Sequence, residues 1–268
     1  MKRISAPFIF ALCALALLSL PACRASEPAQ VPTPPAEAPE PAPIKRTPLS
    51  PIPKRRLQSR PAPSPEQAPE EPDMFTELLE KSGRTPEDIP GGQLVIVQAD
   101  GNEAAVWAYG REDGVWTPLF EEVDGRVGKN GVTGEKAEGD RRTPRGLYGL
   151  PLAFGVEADP GSLLPYRQVT GESYWVDDPD SRFYNQWVEG TAEQDWASAE
   201  HLADYPEQYA YAALIAYNTD LVVPGAGSAI FLHCGGSYTA GCVAIPRERM
   251  VELLQWLDPA QSPAILIF

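Results

Sequence analysis

Two residue types in one short stretch set the chemistry this chain could perform. In FLHCGGSYTAGCVAIP, residues 231–246, an apolar segment ends at His233, a loop of Gly, Ser and Thr follows, and Cys242 opens the next apolar segment. A short loop of this kind lets a thiol and an imidazole meet. An imidazole beside a cysteine draws off the thiol proton, and it can later protonate a leaving amine. Gly241 allows a substrate backbone to come close to Cys242, and main-chain N–H groups of the Gly241–Cys242 turn suit a developing oxyanion. The chemistry predicted from these residues is acyl transfer through a thioester.

Other chemistries find little support. The chain has only two histidines, His201 and His233, which excludes a site of three imidazoles. The spacing of His233, Cys234 and Cys242 fits neither C-x-x-C nor H-E-x-x-H, so no metal site is expected. No G-x-x-x-x-G-K-[ST] string occurs, and neither a nucleotide nor any other cofactor is expected. His201, in SAEHL, reads as a wall or surface histidine.

The elements that must position Cys242 and His233 are mostly strands. QLVIVQ (93–98) and EAAVWAYG (103–110) flank Asp100-Gly101-Asn102, a hairpin signal, and GVWTPLF continues in β-rich residues. YAYAALIAYN (209–218), GSAIFLHC (227–234) and PAILIF (263–268) read as buried strands. MFTELLEKSG after Asp73 reads as a short lead-in helix. Pro246 is expected in the first turn of a second helix, RERMVELLQWLD. Residues 125–146 are Gly-dense, charged and aperiodic, which marks a loop. The expected fold is mainly β, a mixed sandwich-like sheet with one helix after Cys242 and a short one at the start.

The string T-A-G-C-V after F-L-H resembles the [ST]-x-G-C-[VI] signature of the L,D-transpeptidase catalytic domain, the YkuD type. Flanking blocks are similar to the same family: GKNGVTGEKAEGDRRTPRGLYGL, YWVDDPDSRFYNQWV, AYNTDLVVPGAGSAIFLH and LLQWLDPAQSPAIL, spanning residues 92–268. The resemblance implies a two-step exchange on peptidoglycan stem peptides. Cys242 attacks the carbonyl before a terminal D-alanine, and an amine on a second stem, a D-amino acid, a lipoprotein lysine or water then resolves the thioester. The resemblance makes Cys242 the nucleophile, His233 the base and Gly241 part of the oxyanion turn. It gives Thr239 the motif hydroxyl, and gives Cys234 a backbone carbonyl that orients the imidazole. The family's arginine after G-C-[VI] is replaced by Ala244, so Arg145, Arg141 and Arg247 become candidates for holding a donor carboxylate. Trp175, Tyr184, Asn185 and Trp187 form a polar-aromatic block suited either to a peptide groove or to a core. Glu138 and Asp140 suit either loop caps or ammonium ligands. Hydrolysis of wall peptides and non-catalytic wall binding are the alternative functions.

Cys234 and Cys242 could also form a disulfide, which would silence the nucleophile. Of the other two cysteines, Cys13 falls in an apolar run, residues 6–20, behind Lys2 and Arg3. That run reads as a secretory signal. It ends in Leu20-Pro21-Ala22-Cys23, which resembles a lipobox, so lipidation of Cys23 and anchoring in a membrane are expected. The expected location is the periplasm or cell envelope.

Residues 24–72 form a Pro-rich linker holding half of the chain's thirty prolines. Such a segment is a semi-stiff spacer of about 3.1 Å per residue. Residues 73–91 are read as the lead-in helix and its loop, and residues 92–268 as the catalytic domain. The formal charge is −15 overall, yet residues 73–268 carry 13 Lys and Arg against 31 Asp and Glu, a net charge of about −18. That surface excludes nucleic acid as a partner and favours amine-bearing ligands. The sequence leaves the oligomeric state open.

Overall fold

The computed structural model describes residues 73–268; the signal, the Cys23 lipidation site and the linker lie outside the described residues. Helix α1 (Met74–Ser82) begins after Asp73, whose carboxylate accepts from Thr76 N at 2.9 Å, and ends at Gly83 in the left-handed conformation. There follow β1 (Gln93–Asp100), β2 (Glu103–Glu112) and β3 (Val115–Arg126), and then β4 (Val132–Thr133), β5 (Thr143–Pro144), β6 (Gly146–Gly149) and β7 (Ala153–Gly155). Next come β8 (Tyr166–Gln168), β9 (Ser173–Val176), β10 (Trp187–Glu189), β11 (Ala199–His201) and β12 (Ala212–Leu214). The chain closes with β13 (Phe231–Cys234), β14 (Val243–Ile245), helix α2 (Arg247–Trp256) and β15 (Ala264–Ile267). The fold is mainly β with two helices, as the sequence pattern predicts.

Ten strands form a mixed sheet in the order β6-β15-β1-β2-β3-β14-β13-β12-β7-β8, while β10-β9-β11 make a second, three-stranded sheet. The alternation of side chains along β1 and β15 sorts residues between two cores. Val95, Val97, Ile265 and Ile267 join Met250, Leu253, Leu254 and Leu257 of α2 in the main core. Leu94, Ile96, Ala264 and Leu266 join Phe75, Leu78 and Leu79 of α1 on the opposite face. The same alternation operates on β13. Leu232 and Cys234 point into the main core. Phe231 packs on the other face with Phe154, Trp175, Tyr209 and Cys242.

Four elements differ from expectation: residues 125–146, read as a loop, also hold the end of β3, the short strands β4 and β5 and the first residue of β6. In residues 209–218 only Ala212–Leu214 form a strand, because Gln208–Ala210 close a short 3-10 turn. Residues 227–230 stay outside β13, where Ala229 turns the chain at φ +52°. Helix α2 starts at Arg247, so Pro246 precedes its first turn rather than lying within it.

Candidate functional site

The adjacency of Cys242 and His233 follows from strand order. β13 and β14 run parallel with His233 opposite Ala244, so Cys242, just ahead of β14, lies at the side of β13. Both residues are buried and line one cavity of about 880 Å³. The His233 Nδ1 lies 2.8 Å from the carbonyl oxygen of Cys234. A carbonyl accepts only, so Nδ1 carries the proton and Nε2 is the basic nitrogen. Burial lowers the His233 pKa, opposed by that hydrogen bond, which keeps the ring neutral.

The Cys242 sulfur donates to Ala229 O at 3.2 Å and accepts from Phe231 N at 3.4 Å. Burial pushes its pKa up to about 12, with the carboxyl of Glu200 adding to the rise, while the Phe231 N–H and the Lys136 ammonium oppose it. The resting thiol is therefore protonated, and its hydrogen bonds go to backbone rather than to the imidazole.

The turn before Cys242 is pinned by hydroxyls. Thr239 Oγ1 donates to Cys242 O at 2.7 Å and accepts from Gly241 N at 3.1 Å. Thr143 Oγ1, in β5, donates to the same carbonyl at 3.2 Å. Gly241 N–H is thus committed to Thr239. The N–H of Cys242 has no acceptor among the described residues and is the donor left for an oxyanion.

Behind the site, Asn185 (φ +58°) accepts from Trp175 Nε1 at 2.9 Å and from Ala229 N at 3.1 Å, and donates to the carbonyls of Tyr217 and Asn218. It thereby fixes Ala229, whose carbonyl holds the thiol. Tyr184 and Ser228 both donate to Glu138, which reaches the cavity wall. Asp140 pairs with Lys136 at 2.7 Å and caps Ala137 N and Arg142 N. The stem of Lys136 lies under Gly241, where an added Cβ would meet its Cε at 3.7 Å.

The remaining predicted residues lie elsewhere. Trp175, Tyr184, Asn185, Arg141, Arg145 and Arg247 are absent from the cavity lining. Arg141 and Arg145 are exposed. Arg247 pairs with Glu157 at 3.2 Å. His201 stacks on Tyr174 and pairs with Asp204, away from the cavity. Cys234 belongs to the cavity lining, but its thiol donates to Tyr211 O on the far face of β13, and both Cys234 and Cys242 are free thiols.

Sequence reasoning singled out Glu138 in the acidic wall and missed Asp177, Glu200 and Glu207. Glu138, Asp177, Glu200 and Glu207 line the cavity, and no Lys or Arg among the described residues does. Tyr209 donates to Glu200 Oε1 at 2.6 Å, and its ring meets His233 edge-on at 5.5 Å. Burial raises the Glu200 carboxyl to about 7, opposed by the Tyr209 hydrogen bond and assisted by Asp177. Nothing in the sequence distinguishes Asp177, Glu200 and Glu207 from the many other carboxylates in an acidic chain. Among the described residues no group of three or more His, Cys, Asp or Glu side chains could hold a metal ion.

This arrangement brings together a buried thiol, a neutral imidazole whose Nε2 has no hydrogen-bond partner among the described residues, and the unpaired Cys242 N–H on one cavity. No curated protein matches the chain. Among solved structures it is similar to the helical cell shape determining protein Pgp2 from Campylobacter jejuni. The identity is 18% and the TM-score 0.37, over 71% of this chain and 54% of that one. The chain thus spans about half the length of that neighbour. The family model of the L,D-transpeptidase catalytic domain, YkuD, matches residues 88–266, and the chain belongs to that family.

Proposed function

We propose that this chain is a peptidoglycan L,D-transpeptidase that forms a thioester between Cys242 and a stem peptide and passes the acyl group to an amine. The observation that carries the reading is the meeting of Cys242 and His233 in one cavity with the imidazole held in the Nδ1–H tautomer. Donor binding draws the S–H away from Ala229 O toward Nε2. Sulfur then attacks the carbonyl before the terminal D-alanine, and the oxyanion meets the Cys242 N–H. Collapse breaks the C–N bond, and the proton on Nε2 leaves with the D-alanine amine. In the second step an amine attacks the thioester, and the thiol regains a proton from His233.

The chain is exported and held to the membrane by a lipid on Cys23, with the Pro-rich segment as the spacer to the wall. The mass of the mature N-terminus tests that part; an unmodified Cys23 would refute it.

The activity is tested by incubating the protein with tetrapeptide muropeptides and reading products by mass. Dimers or exchanged termini are expected, together with a covalent adduct at Cys242 that Cys242→Ser abolishes. Tripeptide alone would make the chain a hydrolase, muropeptides left unconverted would leave a wall-binding module, and products unchanged by Cys242→Ser would refute Cys242 as the nucleophile.

A further inference from the structure

The acceptor presents a difficulty that Cys242 and His233 alone do not solve. A side-chain amine arrives at neutral pH as an ammonium, because its ordinary pKa is about 10.4. It must lose one proton before it can attack and a second as the amide forms. His233 Nε2 accounts for one of these. The cavity holds one further group suited to the other.

Glu200 lies on β11, paired with Trp175 of β9, and lines the same cavity as Cys242. Its Oε1 accepts from Tyr209 OH at 2.6 Å. The Tyr209 ring is packed edge-on against both His233 and Phe231, at 5.5 and 5.6 Å. The carboxyl is thus held rigidly to the wall that carries the imidazole. No Lys or Arg pairs with Glu200 among the described residues. The ionisable groups that share its cavity are Tyr209, Tyr205, Asp177, Cys242, His233, Cys234, Glu138, Glu207 and Tyr238. Asp177 has one carboxylate oxygen buried without a hydrogen-bond partner. The cavity therefore presents negative charge, and no protein cation, to whatever enters it.

We propose that Glu200, tethered by Tyr209 to the His233 wall, is the residue that takes the first proton from the acceptor ammonium. This rests on the transferase reading above. The steps balance. The ammonium gives one proton to the Glu200 carboxylate and becomes an amine. The amine nitrogen bonds to the thioester carbon and gives its second proton to His233 Nε2. The C–S bond breaks, and His233 returns that proton to the departing Cys242 thiolate. Glu200 then releases its proton to water. A carboxyl raised by burial to about 7 both accepts and releases a proton near neutrality.

Glu200→Gln tests this, since the amide oxygen still accepts from Tyr209. The substrate is a tetrapeptide muropeptide with a diamino acid at its third position. Acylation is followed by intact mass, and transfer by the ratio of dimer to tripeptide. Removing the negative charge beside Cys242 is expected to speed acylation, while the dimer-to-tripeptide ratio falls by about a hundredfold. Wild-type transfer is expected to rise with a limb near pH 7. In the variant this limb disappears, and transfer instead climbs about tenfold per pH unit toward the amine's own pKa of about 10.4. Glu200→Asp, which keeps a carboxylate, is expected to restore part of the ratio and provides a second folded variant.

With a wild type that forms dimers, an unchanged ratio in Glu200→Gln overturns the inference alone, whereas a wild type that acylates but yields tripeptide alone is a hydrolase and defeats the transferase reading as well. A wild type that forms no adduct at Cys242 defeats the transferase reading itself, and the inference with it.

Discussion

Cys242 rests as a thiol rather than a thiolate, because burial and the Glu200 carboxyl outweigh the Phe231 N–H and the Lys136 ammonium. In the ligand-free protein, alkylation of Cys242 should therefore climb about tenfold per pH unit through pH 9 without levelling. A plateau below that pH, read by mass at the modified cysteine, would contradict the thiol's surroundings described above. The Ala229 carbonyl that holds this thiol depends on Asn185. Asn185→Ala leaves Ala229 N–H, Trp175 Nε1 and two carbonyls without partners in a buried region. It is expected to lower stability by about 2–4 kcal/mol in denaturant unfolding and to slow acylation as Ala229 shifts. The juxtaposition of Cys242 and His233 was legible because both flank one short loop between strands. Glu200, Asp177 and Tyr209 were not, since they reach the cavity from separate segments whose approach only tertiary packing creates. Asn185 was singled out among aromatic neighbours, but its link to Ala229 spans 44 residues and leaves no local pattern.

At the scale of elements, β1 and β15 show why apolar runs without alternation read correctly as strands. Both faces of each are covered, one by α2 and the other by α1. Helix α1 thus seals a sheet face. Deleting residues 73–84 removes Phe75, Leu78 and Leu79 and uncovers Trp107 and Tyr109. Burial of three such side chains is worth about 5–8 kcal/mol in total, so the truncated protein should unfold at much lower denaturant or aggregate. Unchanged unfolding would show that α1 is dispensable. The strand over-reading at residues 209–218 and 227–234 has a common cause. Apolar composition reports burial, whereas the 3-10 turn at Gln208–Ala210 and the left-handed Ala229 go with long-range contacts, Tyr209 to Glu200 and Ala229 to Asn185, that leave no local pattern. β13 also bears on the disulfide alternative: it directs Cys234 into the main core and leaves Cys242 on the opposite face.

At the scale of the molecule, pH acts on stability through the buried acid. The Glu200 carboxyl rises from 4.5 to about 7 on folding, so the native state binds this proton more tightly than the unfolded chain. Its contribution is full below pH 4.5 and is lost as pH rises through 7. Glu200→Gln should therefore match the wild type below pH 4.5 and exceed it at pH 8 by about 3 kcal/mol, measured by denaturant titration at both values. Equal differences at the two pH values would place the charge in solvent. Net charge, in contrast, was readable from composition alone. What composition could not reveal was that the acidic residues include a set facing the cavity.

The two hydroxyls on the Cys242 carbonyl carry a consequence for the order of folding. Thr239 is a near neighbour, but Thr143 of β5 reaches that carbonyl across 99 residues, at the end of a segment whose start, Val127–Lys129, bonds the turn through Lys129 N and Thr239 N. A contact of such long sequence separation forms late, after the loop-closure entropy has been met by surrounding strands. A nascent or half-folded chain therefore lacks a fixed nucleophile. Acyl-transfer competence should appear together with the last cooperative step of folding, so that only completed molecules are able to react.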